Sequence, residues 1–275
     1  MSEDPFADLV DEPALSSQAA VTALLSSAKR AYTPVRNSFV QRPPGSAERG
    51  STLAILVRNR QERALDAILL VYALQPVLSN SDPLPFGTWA HLLSTRKPCS
   101  VTTVSKTFRV LEEFRLTVKT RLGHSTIVTP LMEDGTGKAW SKPGQPTADV
   151  DTGGYFAVPH DYWTAGYVDY LRLPGKAMLL IMLKETQGTP AFEMAVERAS
   201  EWYGISERTA ERGYTELSNA GLLDIHVQRV ASPRLPPGVR RERYHRALRT
   251  PFSTTRRREL QIEARKHSRA TDKGA

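Results

Sequence analysis

Cysteine is nearly absent from this chain, which has only Cys99 among its 275 residues. An internal disulfide and a zinc site built on cysteines are therefore excluded. Cys99 precedes a predicted helix and has no evident His or Asn partner, so we interpret it as a small apolar side chain and not as a catalytic thiol. Long hydrophobic runs are missing too. The longest, 67–74 and 177–183, are far shorter than the roughly 18–20 residues that span a bilayer.

Positive charge is scarce at the start of the chain, where Glu3, Asp4 and Asp8 stand in place of the cations of a signal peptide. We therefore predict a cytoplasmic protein with no membrane association. The excess of cations lies elsewhere. Residues 231–275 contain 13 Lys and Arg against 4 Asp and Glu, and the whole chain has a net charge of +8. This basic C-terminal end indicates a polyanionic partner.

Changes in composition divide the chain into five parts. The first part is rich in Ser, Ala and Pro, which is typical of disorder, and the third contains five Gly and two Pro. The predicted parts are a mostly disordered N-terminal arm (1–50), a first folded domain (51–132), a Gly/Pro-rich linker (133–154), a second folded domain (155–250) and a basic tail (251–275). One short helix can form in the arm, around Ala14–Arg30, and another in the tail.

The spacing of apolar residues predicts the same order of elements in both folded domains. In the first domain we predict helices 63–78, 86–93 and 100–114 and strands 116–121 and 125–131, which flank a tight turn at Gly123–His124. In the second domain we predict helices 174–184, 192–203 and 206–220 and strands 222–230 and 244–250, which flank a loop. The predicted fold class is α+β, mainly α-helical with small β wings.

An offset of 106 residues aligns the two domains. It pairs the helix caps Ser100 and Ser206, the core positions Val104 with Ala210, Phe108 with Tyr214 and Leu111 with Leu217, and the exposed cations Lys106 and Arg212. We interpret the two domains as two copies of one fold.

The segment YGISERTAERGYTELSNAGLL (203–223) and its strand pair resemble the winged helix-turn-helix family, in which helix, helix, turn, helix, strand, wing and strand follow in order. The first copy departs from the pattern, with Arg115 where Gly221 stands. The block from Tyr155 to Leu223 also resembles regulators of high-GC bacteria and their mobile elements, and two such domains in one chain resemble plasmid replication initiators. The resemblance implies that the third helix of each copy enters the major groove of double-stranded DNA.

The candidate DNA contacts of the first copy are hydroxyls near the start of its third helix and cations further along. Short hydroxyls and a helix N-terminus suit phosphates, and Arg suits guanine. The predicted residues are Thr102, Thr103, Lys106 and Arg109 on the helix and Lys119, Arg121 and His124 around the turn. The alternative is an ordinary solvated helix face.

The candidate DNA contacts of the second copy lie on its third helix and its wing. Those on the helix are Arg208, Arg212, Thr215 and Asn219, and those on the wing are Arg234, Arg240, Arg241 and Arg243. Three carboxylates, Glu207, Glu211 and Glu216, flank the helix positions and repel phosphate unless they accept from cytosine. The alternative is a helix that packs on a partner.

No pattern of catalytic, metal-ligating or cofactor-binding residues stands out, so we expect a protein that is not an enzyme and needs no cofactor. EDGTGKA (133–139) lacks the first Gly and the final Ser or Thr of a phosphate loop. We predict sequence-specific binding of double-stranded DNA by a transcriptional regulator associated with the nucleoid. Two alternatives stay open, a plasmid or phage replication initiator and a protein–protein adaptor. A homodimer or a protein partner also stays open.

Overall fold

The structure, a computed structural model, describes residues 13–272 except 29, 44, 47–49, 123–124, 145–152, 235 and 237. In this part of the chain, eleven α-helices combine with three small antiparallel sheets, which confirms the predicted α+β class. The helices are α1 (Ser17–Ser26), α2 (Thr52–Arg58), α3 (Glu62–Leu78), α4 (Phe86–Leu92), α5 (Val101–Glu113), α6 (Asp161–Thr164), α7 (Tyr167–Tyr170), α8 (Leu173–Glu185), α9 (Ala199–Tyr203), α10 (Glu207–Asn219) and α11 (Thr254–Asp272).

Seven strands form the three sheets. They are β1 (Tyr32–Arg36), β2 (Thr117–Leu122), β3 (Ser125–Pro130), β4 (Tyr155–Pro159), β5 (Ala191–Glu193), β6 (Leu223–Ala231) and β7 (Arg240–Leu248). Strand β1 pairs with β4, which is remote in sequence, and β2 pairs with β3 as a hairpin. The third sheet has the order β5-β7-β6, so β6 and β7 form a second, longer hairpin with β5 along its outer edge.

The two helices α5 and α10 begin and end 106 residues apart, as the internal repeat predicts. Each is capped by a serine whose Oγ accepts a hydrogen bond of 3.2 Å from the backbone N–H three residues later, in Ser100 from Thr103 and in Ser206 from Thr209. Such a cap satisfies one of the N–H groups that a helix start leaves unpaired. Local sequence therefore determines where both helices begin.

Arg115 and Gly221 occupy equivalent positions in the two copies. They differ in residue type but share one backbone conformation. Arg115 has φ = 56° and Gly221 has φ = 69°, so both adopt the left-handed conformation after their helix. This conformation costs a non-glycine residue free energy, which glycine avoids. The two copies thus share the backbone turn between helix and hairpin, even though the first copy has an arginine at the position where the second has a glycine.

One continuous apolar core runs through both predicted domains. The long apolar helices α3 and α8 lie inside it, together with Phe108 of α5 and Leu217 of α10. These helices contain the two longest hydrophobic runs of the sequence, and most of their residues are buried. The predicted boundary at 133–154 therefore does not separate two independent cores.

Buried ion pairs also connect the two halves. Lys176 of α8 binds Asp66 of α3, with Nζ 2.6 and 2.8 Å from the two carboxylate oxygens, and the hydroxyl of Tyr162 donates to the same carboxylate at 3.2 Å. Arg36 of β1 binds Glu133 at 2.7 Å. All these polar groups are buried, so each needs its partner to offset the cost of leaving water.

The predicted disorder of residues 1–50 is wrong for the residues that the structure describes there. Helix α1 and strand β1 are ordered elements, and Val35 and Phe39 are completely buried in the core. Residues 1–12, 29, 44 and 47–49 of the predicted arm lie outside the described residues. Local composition could not predict β1, because its partner strand β4 comes about 120 residues later in the chain.

The predicted linker is also packed against other parts of the chain, and the predicted tail forms α11, the helix that its sequence allows. In the linker, Glu133 is buried and the Trp140 ring stacks on Tyr72 at 6.3 Å, while residues 145–152 lie outside the described residues. In the tail, Phe252 and Leu260 are buried with the rest of the protein. Both segments look polar in the sequence, but a few apolar and charged side chains in each are bound by distant elements.

Two predicted elements have different bounds. The helix predicted over 192–203 is instead strand β5, a short 3-10 helix and the brief helix α9. Strand β5 pairs with the free edge of β7, and this pairing in the sheet overrides the helical spacing of the apolar residues in 192–203. Strand β7 begins at Arg240, which places Arg240, Arg241 and Arg243 in the strand and not in the loop where we expected them. Helix α2 has no counterpart among the predicted elements.

Candidate nucleic-acid interface

Helix α5 presents the polar face that its sequence predicts. Val104, Phe108 and Leu111 are buried, and the opposite side exposes Thr102, Lys106 and Arg109. Thr103 is half-buried, and its hydroxyl lies 3.0 Å from that of Ser100 within the helix cap. Three of the four predicted positions are therefore accessible to a ligand, while Thr103 also supports the start of the helix.

Ion pairs affect the cations of the first unit, which consists of α5 and the β2–β3 hairpin, to different degrees. Arg109 lies 3.9 Å from Glu113, and both side chains are more than 60% exposed, a pair that contributes little and leaves Arg109 able to move. Lys119 is held more firmly, because its Nζ lies 2.8 Å from Glu112, and the backbone N–H of Lys119 donates to the other carboxylate oxygen at 2.9 Å. Glu112 thus fastens β2 to α5.

The hairpin of the first unit is short. Leu122 pairs with Ser125. Gly123 and His124, where we predicted a tight turn and a contact by His124, lie outside the described residues. Arg121 is exposed on β2. The predicted backbone contacts of this wing are therefore Arg121 at an exposed position and Lys119 at a position already engaged with Glu112.

Helix α10 exposes the four polar residues predicted on it, Arg208, Arg212, Thr215 and Asn219. Within the described residues, neither Arg208 nor Arg212 forms an ion pair. The hydroxyl of Thr215 donates to the backbone oxygen of Glu211 at 3.0 Å, one turn earlier. Glu207 and Glu211 are exposed on the same helix, so the mixed charge predicted for this face is present.

Glu216 has a different role from the one expected. Its carboxylate accepts hydrogen bonds from the backbone N–H groups of Arg172, at 2.9 Å, and Gly175, at 3.1 Å, at the beginning of α8. A carboxylate at a helix N-terminus satisfies unpaired N–H groups and the helix dipole. Glu216 therefore joins α10 to α8 and does not belong to the exposed acidic group.

Gly213 allows α10 to approach α8 closely. A Cβ atom at this position would lie within 3 Å of both the side chain of Met178 and the backbone oxygen of Pro174. Because backbone oxygen cannot give way easily, glycine is the residue that fits this contact. The orientation of the exposed face of α10 is thus determined by packing against a buried helix.

The hairpin β6–β7 extends away from the core with both of its faces largely exposed. Arg240 pairs with Ala231 and Arg241 with Val230, so the two arginines point to opposite faces of the ribbon. Both are exposed, and neither forms an ion pair among the described residues. Arg234 is exposed in the connection between the strands.

Two further arginines of this hairpin are partly neutralised. Arg243 lies 3.6 Å from Glu193 of β5, and Arg229 lies 3.3 Å from Glu242 across the ribbon. These pairs are exposed and contribute little to stability. They reduce the positive potential at the base and middle of the hairpin, so the strongest attraction for an anion lies around Arg240 and Arg241.

Arg246 holds the base of the hairpin against α10, a role that we did not predict. Its guanidinium lies 4.1 Å from the ring centre of Tyr214 and 5.4 Å from that of Tyr244, and it donates to the backbone oxygen of Met194 at 3.0 Å. Burial raises the pKa of Tyr214 to about 12, so its ring stays neutral beside the cation. In the sequence, the only signal for this role is the alternation of residues along β7, which places Arg246 on the same face as the buried Leu248.

Comparison of the chain with family models, with curated proteins and with solved structures found no match. Across the described ranges, no helix is both long and apolar enough to cross a membrane. The same residues contain no group of three or more His, Cys, Asp or Glu side chains arranged to hold a metal ion.

Proposed function

We propose that the chain binds double-stranded DNA in a sequence-specific manner and acts as a transcriptional regulator. The observation that supports this most is a unit built twice, a serine-capped helix with an exposed polar and cationic face followed at once by an antiparallel hairpin. We interpret both units as winged helix-turn-helix domains, with α5 and α10 as the third helices and the hairpins as wings. The protein then acts in the cytoplasm, at the nucleoid.

The dimensions of DNA fit this arrangement. The major groove of B-DNA admits one α-helix, and the base edges present a distinct donor and acceptor pattern there. A wing contacts the sugar-phosphate backbone beside the groove, which contributes affinity without sequence information. The exposed cations of α5 and α10 suit the first role, and those of β7 suit the second.

The two helices differ in the charges around their cations. On α5, Lys106 has no carboxylate in the first two turns, since Glu112 and Glu113 come at the far end. On α10, Arg208 and Arg212 alternate with exposed carboxylates, which partly cancel the attraction for phosphate. We therefore assign base selectivity mainly to α5 and affinity mainly to the β6–β7 wing.

Replacing two exposed arginines of the wing, Arg240→Ala with Arg241→Ala, is expected to weaken DNA binding about 10- to 100-fold at physiological salt. Loss of two phosphate contacts should also reduce the slope of log K against log salt by roughly 2. Fluorescence anisotropy with labelled duplex DNA over a series of salt concentrations measures both quantities.

The matched control for the wing variant is Arg42→Ala with Lys138→Ala. It removes the same net charge from exposed positions outside the hairpin. The control should bind DNA within about twofold of the parent chain, because long-range attraction is screened over about 10 Å at 0.1 M salt. Equal losses in the two variants would contradict a wing that contacts DNA.

Substitutions on the two helices are expected to act differently. Lys106→Ala with Arg109→Ala should relax base preference, because a bidentate contact to a base contributes about 1–3 kcal/mol at that position alone. Arg208→Ala with Arg212→Ala should lower the affinity for all sequences more evenly. Selection of preferred sites from a random duplex library, followed by sequencing, measures the preference of each variant.

All four of these side chains are exposed, so both double variants should keep the melting temperature of the parent chain. If the variant at 208 and 212 loses its base preference while the variant at 106 and 109 retains it, then α10 is the principal recognition helix and our assignment is wrong.

A replication initiator is the nearest alternative, because two winged-helix domains in one chain serve that role as well. Sequencing genomic and plasmid fragments bound by the protein distinguishes the two functions. A regulator is expected at promoters, and an initiator at repeated sites of an origin.

A protein–protein adaptor is the second candidate, and the β6–β7 hairpin carries the observation that favours it. Ile225, Val227 and Tyr244 are exposed apolar side chains, and the pairing of Val227 with Tyr244 places them on one face. Exposed carboxylates of α10 lie on the same unit. An adaptor should retain protein partners and no duplex DNA.

A further inference from the structure

A cavity of about 440 Å³ lies between the N-terminal segment, the C-terminal half of α3 and the residues around Trp140. Its volume is within the range of roughly 300–1,000 Å³ that is usual for small-molecule sites. None of the candidate DNA contacts lines it, so the DNA interface proposed above does not account for this cavity.

Aromatic rings form one side of the cavity. The rings of Tyr72 and Trp140 stack with their centres 6.3 Å apart and an angle of 18° between their planes, and Tyr32 contributes a third ring. Pro34 and Pro76 add flat apolar surface. Such a wall suits a planar ring, which stacks on aromatic side chains with centre distances of about 4.5–7 Å.

The charge around the cavity is positive. Among the described lining residues, the only side chains charged at neutral pH are Arg30 and Lys142, and none is a carboxylate. His160 also lines the cavity, and burial lowers its pKa to about 4, so its ring is neutral at pH 7. Lys142 is exposed and Arg30 half-buried, which places both cations towards the solvent side.

We propose that this cavity binds a small aromatic carboxylic acid. The ring stacks against Tyr72 and Trp140, and the carboxylate faces Arg30 and Lys142. Each part of the ligand is required by a different group of residues, since an apolar ring alone leaves the cations unused. A neutral ring compound would lack the charge-assisted hydrogen bonds that the cations offer.

The aromatic wall is attached to elements of the first unit. The Trp140 indole N–H donates to Glu133 at 3.2 Å, and the Tyr72 hydroxyl donates at 3.2 Å to the backbone oxygen of Leu131, directly after β3. A ligand that stacks on these rings therefore contacts the groups that hold the end of the first hairpin.

Isothermal titration calorimetry of the full chain without DNA tests the proposal, with benzoate and indole-3-carboxylate as probes and their neutral amides as controls. At least one of the two acids is expected to bind one site with a Kd below about 1 mM. That acid should bind about tenfold more tightly than its amide, because the amide has no charge for Arg30 and Lys142. Since DNA is absent, the result is independent of the proposed DNA binding.

Two variants connect binding to the cavity. Lys142→Gln should weaken the acid about fivefold and leave its amide unchanged, and Lys138→Gln, an exposed cation outside the cavity, should change neither. Failure of both acids to bind overturns the proposal, and so does binding that Lys142→Gln leaves unchanged.

Discussion

A chain that ends at Thr250 is expected to lose its cooperative thermal transition. The truncation removes Phe252 and Leu260, which are buried, and each buried side chain of this size contributes about 1.5–3 kcal/mol by leaving water. It also removes Arg257, whose guanidinium is buried between α8 and α11. The combined loss exceeds roughly 5 kcal/mol, which is comparable with the whole stability of many proteins.

Arg257 accounts for a large part of this expected loss. Its guanidinium donates to the backbone oxygens of Leu183 at 2.8 Å, Thr186 at 2.9 Å and Phe252 at 3.0 Å, and to the hydroxyl of Thr186 at 2.6 Å. The carbonyls of Leu183 and Thr186 lie near the end of α8, where a helix has no partners of its own for them. Burial lowers the pKa of Arg257 to about 10, which still leaves it charged at neutral pH.

A chain that ends at Lys266 is the control. It keeps Leu260 and Ala264, the last buried residues of α11 that the structure describes, and should melt close to the parent temperature. Far-UV and near-UV circular dichroism during heating measures both truncations. A cooperative transition near the parent temperature in the chain that ends at Thr250 would contradict a structural role for the segment.

The control also separates folding from DNA binding. We expect the basic tail (251–275) to add affinity for any DNA, and removal of residues 267–275, which include Arg269 and Lys273, tests its last part while the packed part of α11 stays in place. The shorter chain should bind every duplex slightly more weakly than the parent chain, and by the same factor. The removed helix end is expected to contact only phosphates, which carry no sequence information.

Lys176→Met is expected to destabilise the protein by about 3–5 kcal/mol, because it leaves the buried carboxylate of Asp66 without its cation. The Lys176 side chain is only 1% exposed, and it also lies 3.1 Å from Glu62, so one cation serves two carboxylates of α3. Burial raises the pKa of Asp66 against the opposing effect of Lys176, and this opposing effect is lost in the variant. Urea denaturation measures the free energy of unfolding.

The double variant Asp66→Leu with Lys176→Met provides the comparison. It removes both buried charges, and buried ion pairs replaced by apolar side chains of similar size often cost little. We expect it to be more stable than Lys176→Met alone, while the exposed control Lys138→Met should match the parent chain. If the double variant loses as much as the two single variants together, Lys176 and Asp66 do not act as a pair.

The sequence alone determined the elements whose causes are local. Ser100 and Ser206 cap the helices that follow them, and the apolar spacing at Val104, Phe108 and Leu111 selects the face that α5 buries. The first hairpin follows from alternating residues around a short connection, whereas the return strand predicted for the second hairpin (244–250) is shorter than β7. The exposed positions of Thr102, Lys106, Arg109, Arg208, Arg212 and Thr215 could be predicted for the same reason, because a helix with one buried face exposes the other.

Only the tertiary structure decided which of these exposed cations are free and where the chain segments between the helices go. Glu112 engages Lys119, Glu216 caps α8, and Arg246 stacks on Tyr214, each through a contact that the local pattern does not contain. Strand β1 depends on β4, and the C-terminal segment depends on α8, across more than 60 residues in each case. Periodicity within a short window indicates the face of a helix, but the partner of a buried charge or an edge strand is decided by packing between distant parts of the chain.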